Sequence, residues 1–257
     1  MNYFKPESTA ERYANGRPDF HENTIKKIKQ DLRIENKLEK ALDIACGTGL
    51  STNALLLIAN EVFGTDTSED MLKYAVSKVK KNKINYSVSA SENQPFPDNE
   101  FDIITVCSAV HWLKIDDFLV EANRLLKDAS YLILYDNFFI SEMKGNEIFK
   151  NWFPNVYLNR FPSPSRNNNY DWNNENLKKS NFILENEVSF KNEVSFSKEE
   201  LILYFTTQSN ITAAVEKGSN YKEIEDWLNT ELSHFFVDNN VRKTIYFGNW
   251  IKYLKRF

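Results

Sequence analysis

An α/β fold is what this sequence predicts: a seven-stranded, mostly parallel sheet with helices on both faces and a helical cap. Three observations predict it. Short apolar runs alternate with helical stretches from 41 to 136, and strands that alternate with helices imply a parallel sheet. Two glycines, Gly47 and Gly49, stand where the first of those strands meets its helix. Two more strand-like runs close the chain and bring the count to seven.

The elements follow in order. "KKIKQDLRIENKLEKAL" reads as an exposed helix leading to a short strand. "ALDIA" (41–45) is a buried strand and "GLSTNALLLIA" a helix. "EVFGTD" (61–66) is a strand and "SEDMLKYAVSKVKK" a helix. "INYSVSA" (84–90) and "FDIITVCSA" (101–109) are strands three and four, and "IDDFLVEANRLLK" is helical. "SYLILYD" (130–136) is strand five. Right-handed crossovers then place all five strand C-termini on one edge, where such sheets bind ligands.

Beyond 136 the rhythm changes. "ISEMKGNEIFKNWF" reads as helix, and "RFPSPSRNNNYDWNNEN" (160–176), rich in Pro, Ser and Asn, as loop. "FILENEVSFKNEVSFS" (182–197) alternates as one long strand or a hairpin. Helices follow near 198–207, 211–216 and 221–236, and "RKTIYFGNWIKYLKR" (242–256) is the last strand. The expected organisation is one domain, 1–257. Its core lies at about 38–140, 182–197 and 241–257, and its cap at about 1–30, 141–180 and 198–240.

Composition narrows the function. Of 257 residues, 42% are hydrophobic, enough for a large core. The net charge of −4 argues against a nucleic-acid binder, which carries a basic stripe. Cys46 and Cys107 are the only cysteines, and no CxxC or Cys/His spacing suggests a metal. No apolar run approaches membrane-spanning length, and the N-terminus lacks a signal-peptide core. The expectation is a cytoplasmic protein that binds no membrane.

The loop "LDIACGTGLST" (42–52) carries the chemistry. Glycines there allow a tight turn and close approach of backbone to ligand, and free N–H groups suit a phosphate or a carboxylate. Asp66 ends the next strand, where an acid accepts from both hydroxyls of a ribose. Together these suggest a nucleoside cofactor. The dinucleotide fingerprint GxGxxG needs a third glycine, and Thr52 stands in its place.

"LDIACGTG", "VFGTDTSEDML" and "ASENQPFPDNEFDIITVCSAVHWL" occur in this order at fitting distances. The set resembles the class I S-adenosylmethionine (SAM)-dependent methyltransferases of the type 11 group, whose fold is Rossmann-like. "HW" after strand four and "AERYANGRPDF" near the N-terminus resemble the trans-aconitate methyltransferase branch. The resemblance covers about residues 10 to 136.

It implies roles residue by residue. Asp43, Ala45, Cys46, Gly47, Thr48 and Gly49 would wrap the methionine part of SAM. Ala45 replaces the commonest first glycine, a mild change if its backbone angle is ordinary, as is expected. Asp66 would bind the ribose, with Thr67 and Met71 lining the adenine. Ala90, Ser91 and Glu92 occupy the adenine edge; the acid that many relatives have there is absent, which leaves the Ser91 backbone N–H. Cys107, Ser108 and Trp112 would lie near the sulfonium, and His111 is the candidate general base or substrate contact. Tyr13 and Arg17 would belong to a segment folding over the cofactor, Arg17 near a carboxylate.

The expected reaction is in-line methyl transfer from SAM to a small organic molecule, with a carboxylic acid as one candidate, leaving S-adenosylhomocysteine (SAH). A carboxylate acceptor needs no base. Phe138, Phe139, Trp152, Phe153, Tyr204 and Phe205 are candidates to line the acceptor pocket, and Arg160 and Arg166 to bind an acidic group. Partners other than the acceptor are none or a second copy, as monomer or homodimer. Two alternatives stay open: a non-catalytic SAM-binding protein and an NAD-dependent oxidoreductase.

Overall fold

The computed structural model describes residues 7–78, 83–165, 170–237 and 241–257. Its elements are α1 (Glu7–Gly16), α2 (His21–Asp31), β1 (Leu38–Ile44), α3 (Leu50–Leu55), β2 (Ala59–Asp66), α4 (Glu69–Lys78), β3 (Ile84–Val88), β4 (Phe101–Cys107), α5 (Ile115–Leu125) and β5 (Leu126–Met143). Then come α6 (Glu147–Trp152), α7 (Leu158–Arg160), α8 (Asn174–Lys178), β6 (Phe182–Phe196), α9 (Lys198–Thr206), α10 (Ser209–Glu216), α11 (Tyr221–Ser233) and β7 (Lys243–Arg256). The strands form one seven-stranded sheet in the order β3-β2-β1-β4-β5-β7-β6.

The sheet is mostly parallel, as the alternation of strands and helices predicts. β2 pairs with β3 and β1, β1 with β4, and β4 with β5, all in parallel. β7 runs the other way: Arg256 bonds Leu126 O while Asn249 bonds Asn137, so numbers fall along β7 as they rise along β5. β6 opposes β7 in turn, with Lys255 on Glu185 and Lys252 on Glu187.

The chain divides into two compact units. One holds residues 19–137, 166–190 and 249–257; the other holds 1–18, 138–165 and 191–248. The helix α2 therefore counts with the sheet, although the sequence groups it with the cap.

The larger unit has a core on each face of the sheet, and strand alternation sorts residues between them. Leu42, Ile44, Ile104, Val106, Leu132 and Leu134 face α5 residues Phe118, Leu119 and Ala122. Ala41, Ile103, Ile133 and Tyr135 face Ile25 and Ile28 of α2 and Ala54 and Leu55 of α3. Both sides are apolar because both are covered. Each fully buried Leu, Ile or Phe contributes roughly 1.5–3 kcal/mol.

The other unit has an aromatic core. Phe149 stacks on Trp152, centroids 5.6 Å apart, and Phe153 on Tyr157 at 5.1 Å. Trp152, Tyr204 and Phe205, expected as pocket lining, are buried in this core. Phe139 packs on Phe153 at 4.6 Å, and the Phe138 ring lies against Gly248. Arg160 sits 4.7 Å over the Trp227 ring, while Arg166 lies outside the described residues.

Several element boundaries differ from expectation; among them, β5 already begins at Leu126, inside the expected helix 115–127. Residues 140–143, read as helical, continue strand β5. Pairing decides this: the Lys144 N–H donates to Thr244 O at 2.9 Å, just past the strand, and long-range pairing overrides local propensity. The helix begins only at Glu147, capped by Asn146, whose side chain accepts from Phe149 N–H at 3.0 Å. The first glycine-loop helix stops at Leu55 instead of running to Ala59, because Ile58 O accepts from Leu38 N–H and starts the β1–β2 ladder.

Candidate functional site

The carboxyl edge of β1, β2 and β4 carries the glycine loop, and three left-handed residues shape it. Ala45 has φ +57°, Gly47 +54° and Gly49 +79°. The expectation of an ordinary angle at Ala45 is therefore wrong. An L-residue there costs about 1–2 kcal/mol, because its Cβ crowds a carbonyl oxygen. What holds Ala45 in place is the ladder around it: β1 pairs on both sides up to Ile44, and Cys46 N–H donates to Thr65 O at 3.0 Å.

The two glycines have different reasons. A Cβ on Gly49 would come within 2.3 Å of Tyr86 Oη, so packing as well as φ excludes a side chain. A Cβ on Gly47 would meet nothing within 4 Å. Gly47 serves the backbone angle and leaves an open approach to the loop, which is the surface a cofactor would need.

Asp43 lies beneath the loop and is fully buried. Its carboxylate accepts from Ser51 Oγ at 2.6 Å, Thr52 Oγ1 at 2.8 Å and Thr105 Oγ1 at 2.8 Å. Burial pushes its pKa up to about 6; the three hydroxyls oppose the shift and the charge of Asp66 adds to it. Thr48 is buried as well, and Cys46 is a buried thiol whose pKa burial raises. Asp43 thus ties the end of β1 to α3 and β4 from below.

Asp66 reaches the loop from β2. Its Oδ2 accepts from Gly47 N–H and its Oδ1 from Ser68 N–H, both at 2.9 Å. Burial raises its pKa, and the Ser68 and Gly47 N–H groups oppose that. Thr67 is exposed, whereas Met71 is buried beneath, its N–H donating to Ser68 Oγ at 3.3 Å.

The turn after β3 is a closed frame. Gln94 does the tying: its side-chain Nε2 donates to Ala90 O and its backbone N–H to Glu121 Oε1, both at 2.7 Å. Ser91 is buried and its hydroxyl donates to Glu92 at 2.9 Å, which with Lys114 holds the Glu92 carboxyl below its usual range. After β4, Ser108 takes φ +53° and donates to Asp136 Oδ1 at 2.5 Å. Cys107 is half-buried, and burial pushes its thiol well above the usual range, which disfavours a thiolate nucleophile. His111 and Trp112 lie on a short 3-10 turn with ring centroids 4.6 Å apart; Trp112 is exposed, not core.

Tyr13 and Arg17 belong to the other unit. There Arg17 stands 4.6 Å over the Tyr13 ring and 5.3 Å over Tyr204. Sequence reasoning missed four groups that the fold brings in: the hydroxyls of Ser51, Thr52 and Thr105, and the Tyr86 ring. A signal for Tyr86 existed. Gly64 pairs with Tyr86 across β2 and β3, and its own Cβ would come 2.7 Å from that ring.

The family profile described as a methyltransferase domain matches residues 42–134, from the end of β1 to β5. Residues 42–134 are thus similar to a methyltransferase domain. A Dictyostelium discoideum protein named "putative methyltransferase" is 30% identical over 128 residues, 50% of this chain and 47% of its own length. The demethylmenaquinone methyltransferase of Staphylococcus saprophyticus is 31% identical over 120 residues, 44% of this chain and 50% of its own. The matched stretch thus spans about half the length of these curated relatives. The structure of a "putative type II methyltransferase" from Anaeromyxobacter dehalogenans superposes with TM-score 0.70 at 16% identity, covering 92% of this chain and 97% of that one. At that identity the likeness is one of fold, and it extends beyond residues 42–134 to nearly the whole chain.

Among the described residues no group of three or more His, Cys, Asp or Glu side chains could hold a metal ion, and no helix is long and apolar enough to cross a membrane.

Proposed function

We propose that this chain is a SAM-dependent methyltransferase that acts on a small organic molecule. One observation carries the reading: the left-handed loop at Ala45–Gly49, open above Gly47, is bonded to the carboxylate of Asp66 on the neighbouring strand. That arrangement suits a ligand with an amino-acid end and a ribose. Gly47, Thr48 and Gly49 would hold the first, and Asp66 the second. SAM supplies a sulfonium leaving group. The chain's own task is to orient donor and acceptor and to exclude water.

An NAD-dependent oxidoreductase fits less well. At the place of the third glycine, Thr52 is fully buried and its hydroxyl is bound to Asp43. No close approach of pyrophosphate to that position is supported.

The test is isothermal titration with SAH beside NAD. Micromolar binding of SAH without NAD supports the reading; NAD alone refutes it. SAH release with SAM and a panel of small acceptors, carboxylic acids and hydroxyl compounds, then separates an enzyme from a SAM-binding protein without turnover.

A further inference from the structure

A buried polar group lies in the larger unit where its apolar core meets the carboxyl edge. Down the same face of the sheet the positions are Ala41, Ile103 and Ile133, packed on Ile25 and Ile28. One step toward the edge the chemistry changes. The residues become His21 and Thr24 on α2, one helical turn apart, with Tyr135 and Asn137 on β5, Cys107 on β4 and Asn249 on β7.

These side chains touch. His21 Nδ1 lies 3.2 Å from Tyr135 Oη and 3.7 Å from Cys107 Sγ. Asn249 Nδ2 donates to Asn137 Oδ1 at 2.8 Å and to Thr24 Oγ1 at 3.1 Å. Thr24 is fully buried and Asn249 is 1% exposed. Polar groups are costly at such depth unless bonded, so a cluster of them needs a reason. Asn249 is also incomplete: its Oδ1 is buried and accepts no hydrogen bond. A buried acceptor without a donor is destabilising, because it has given up its water and gained no partner.

We propose that His21, Thr24, Tyr135 and Asn249 form a hydrogen-bonding subsite for the methyl acceptor, and that the acceptor brings a hydroxyl group to it. The inference rests on the methyltransferase reading and names the acceptor class. The Asn249 carbonyl requires a donor. An ionised carboxylate only accepts hydrogen bonds, whereas a hydroxyl donates. The site sits beside Cys107 and Ser108, at the end of β4, on the edge that carries the glycine loop.

The experiment uses the full chain, SAM, and matched probe pairs. Each pair is a hydroxyl compound and the carboxylic acid of the same skeleton, beginning with benzyl alcohol and benzoate. SAH release is the readout. Methylation confined to hydroxyl members is expected. Asn249→Leu and the isosteric Thr24→Val each raise the acceptor KM about tenfold, the loss of one hydrogen bond, while SAH affinity stays within about twofold. If Asn249→Leu fails to fold, Thr24→Val carries the test. Turnover of the carboxylic acids overturns the proposal. So does a protein that binds SAH but methylates no hydroxyl member. Unchanged KM in the folded variants overturns it too, and means that water alone satisfies Asn249. A wild-type chain that binds no SAH instead refutes the methyltransferase reading itself.

Discussion

Replacing Asp43 by Asn should remove a specific pH dependence of stability. Asp43 is fully buried among three hydroxyls, and its pKa in the folded chain is about 6 against 3.8 for the free side chain. The folded state therefore keeps the proton to higher pH than the unfolded state. Its contribution is complete below about pH 4 and is lost as pH rises through about 6. The difference of about 2 pK units corresponds to about 3 kcal/mol. Asn resembles the protonated form: its carbonyl accepts from two of the hydroxyls, and its NH2 donates to the third. Urea unfolding of both proteins, followed by tryptophan fluorescence, would be run from about pH 4 to about pH 7. Wild type should lose about 2.5 kcal/mol more than Asp43→Asn over that range, most of the total. Parallel pH curves for the two proteins would show that Asp43 is ionised in the fold at low pH and that burial does not govern it.

Other outcomes follow from the same site. Ala45→Gly should stabilise the chain by about 1 kcal/mol, as relief of about 1–2 kcal/mol of left-handed strain exceeds glycine's added entropy cost; a loss of stability in urea would contradict the φ of +57°. Asp66→Ala should weaken SAH binding by about 2–3 kcal/mol through loss of charged hydrogen bonds. Unchanged calorimetric affinity would remove Asp66 from the cofactor site. Tyr86→Ala should destabilise by about 3 kcal/mol, because it empties the space between Gly49 and Gly64. Chemical denaturation within about 0.5 kcal/mol of wild type would show that the ring fills no gap. Arg17→Ala should lower turnover more than stability if its cation serves a carboxylate; normal turnover would confine Arg17 to its packing on Tyr13 and Tyr204.

The sequence by itself determined the sheet and the place of the loop. Strand alternation is a local property: Leu42 and Ile44 must leave one face while Ala41 and Asp43 leave the other, and helices of matching period must cover both. Glycines at 47 and 49 and the acid at 66 stand at strand ends that this alternation already marks. Tertiary structure alone decided what depends on partners distant in sequence. β5 runs on to Met143 because β7 lies beside it, although its last residues read as helix. Ala45 takes a left-handed angle because the pairing of β1 and the bond from Cys46 to Thr65 fix the chain on both sides, which no property of alanine announces. Asp43 reads as a loop acid and is a buried post, since Thr105 comes to it from 62 residues away. His21 and Asn249 lie near opposite ends of the chain, and only the packing of α2 on β5 and β7 gathers them into one polar group. Local periodicity encodes which way a side chain faces; what it meets there is set by the long-range pairing of the sheet.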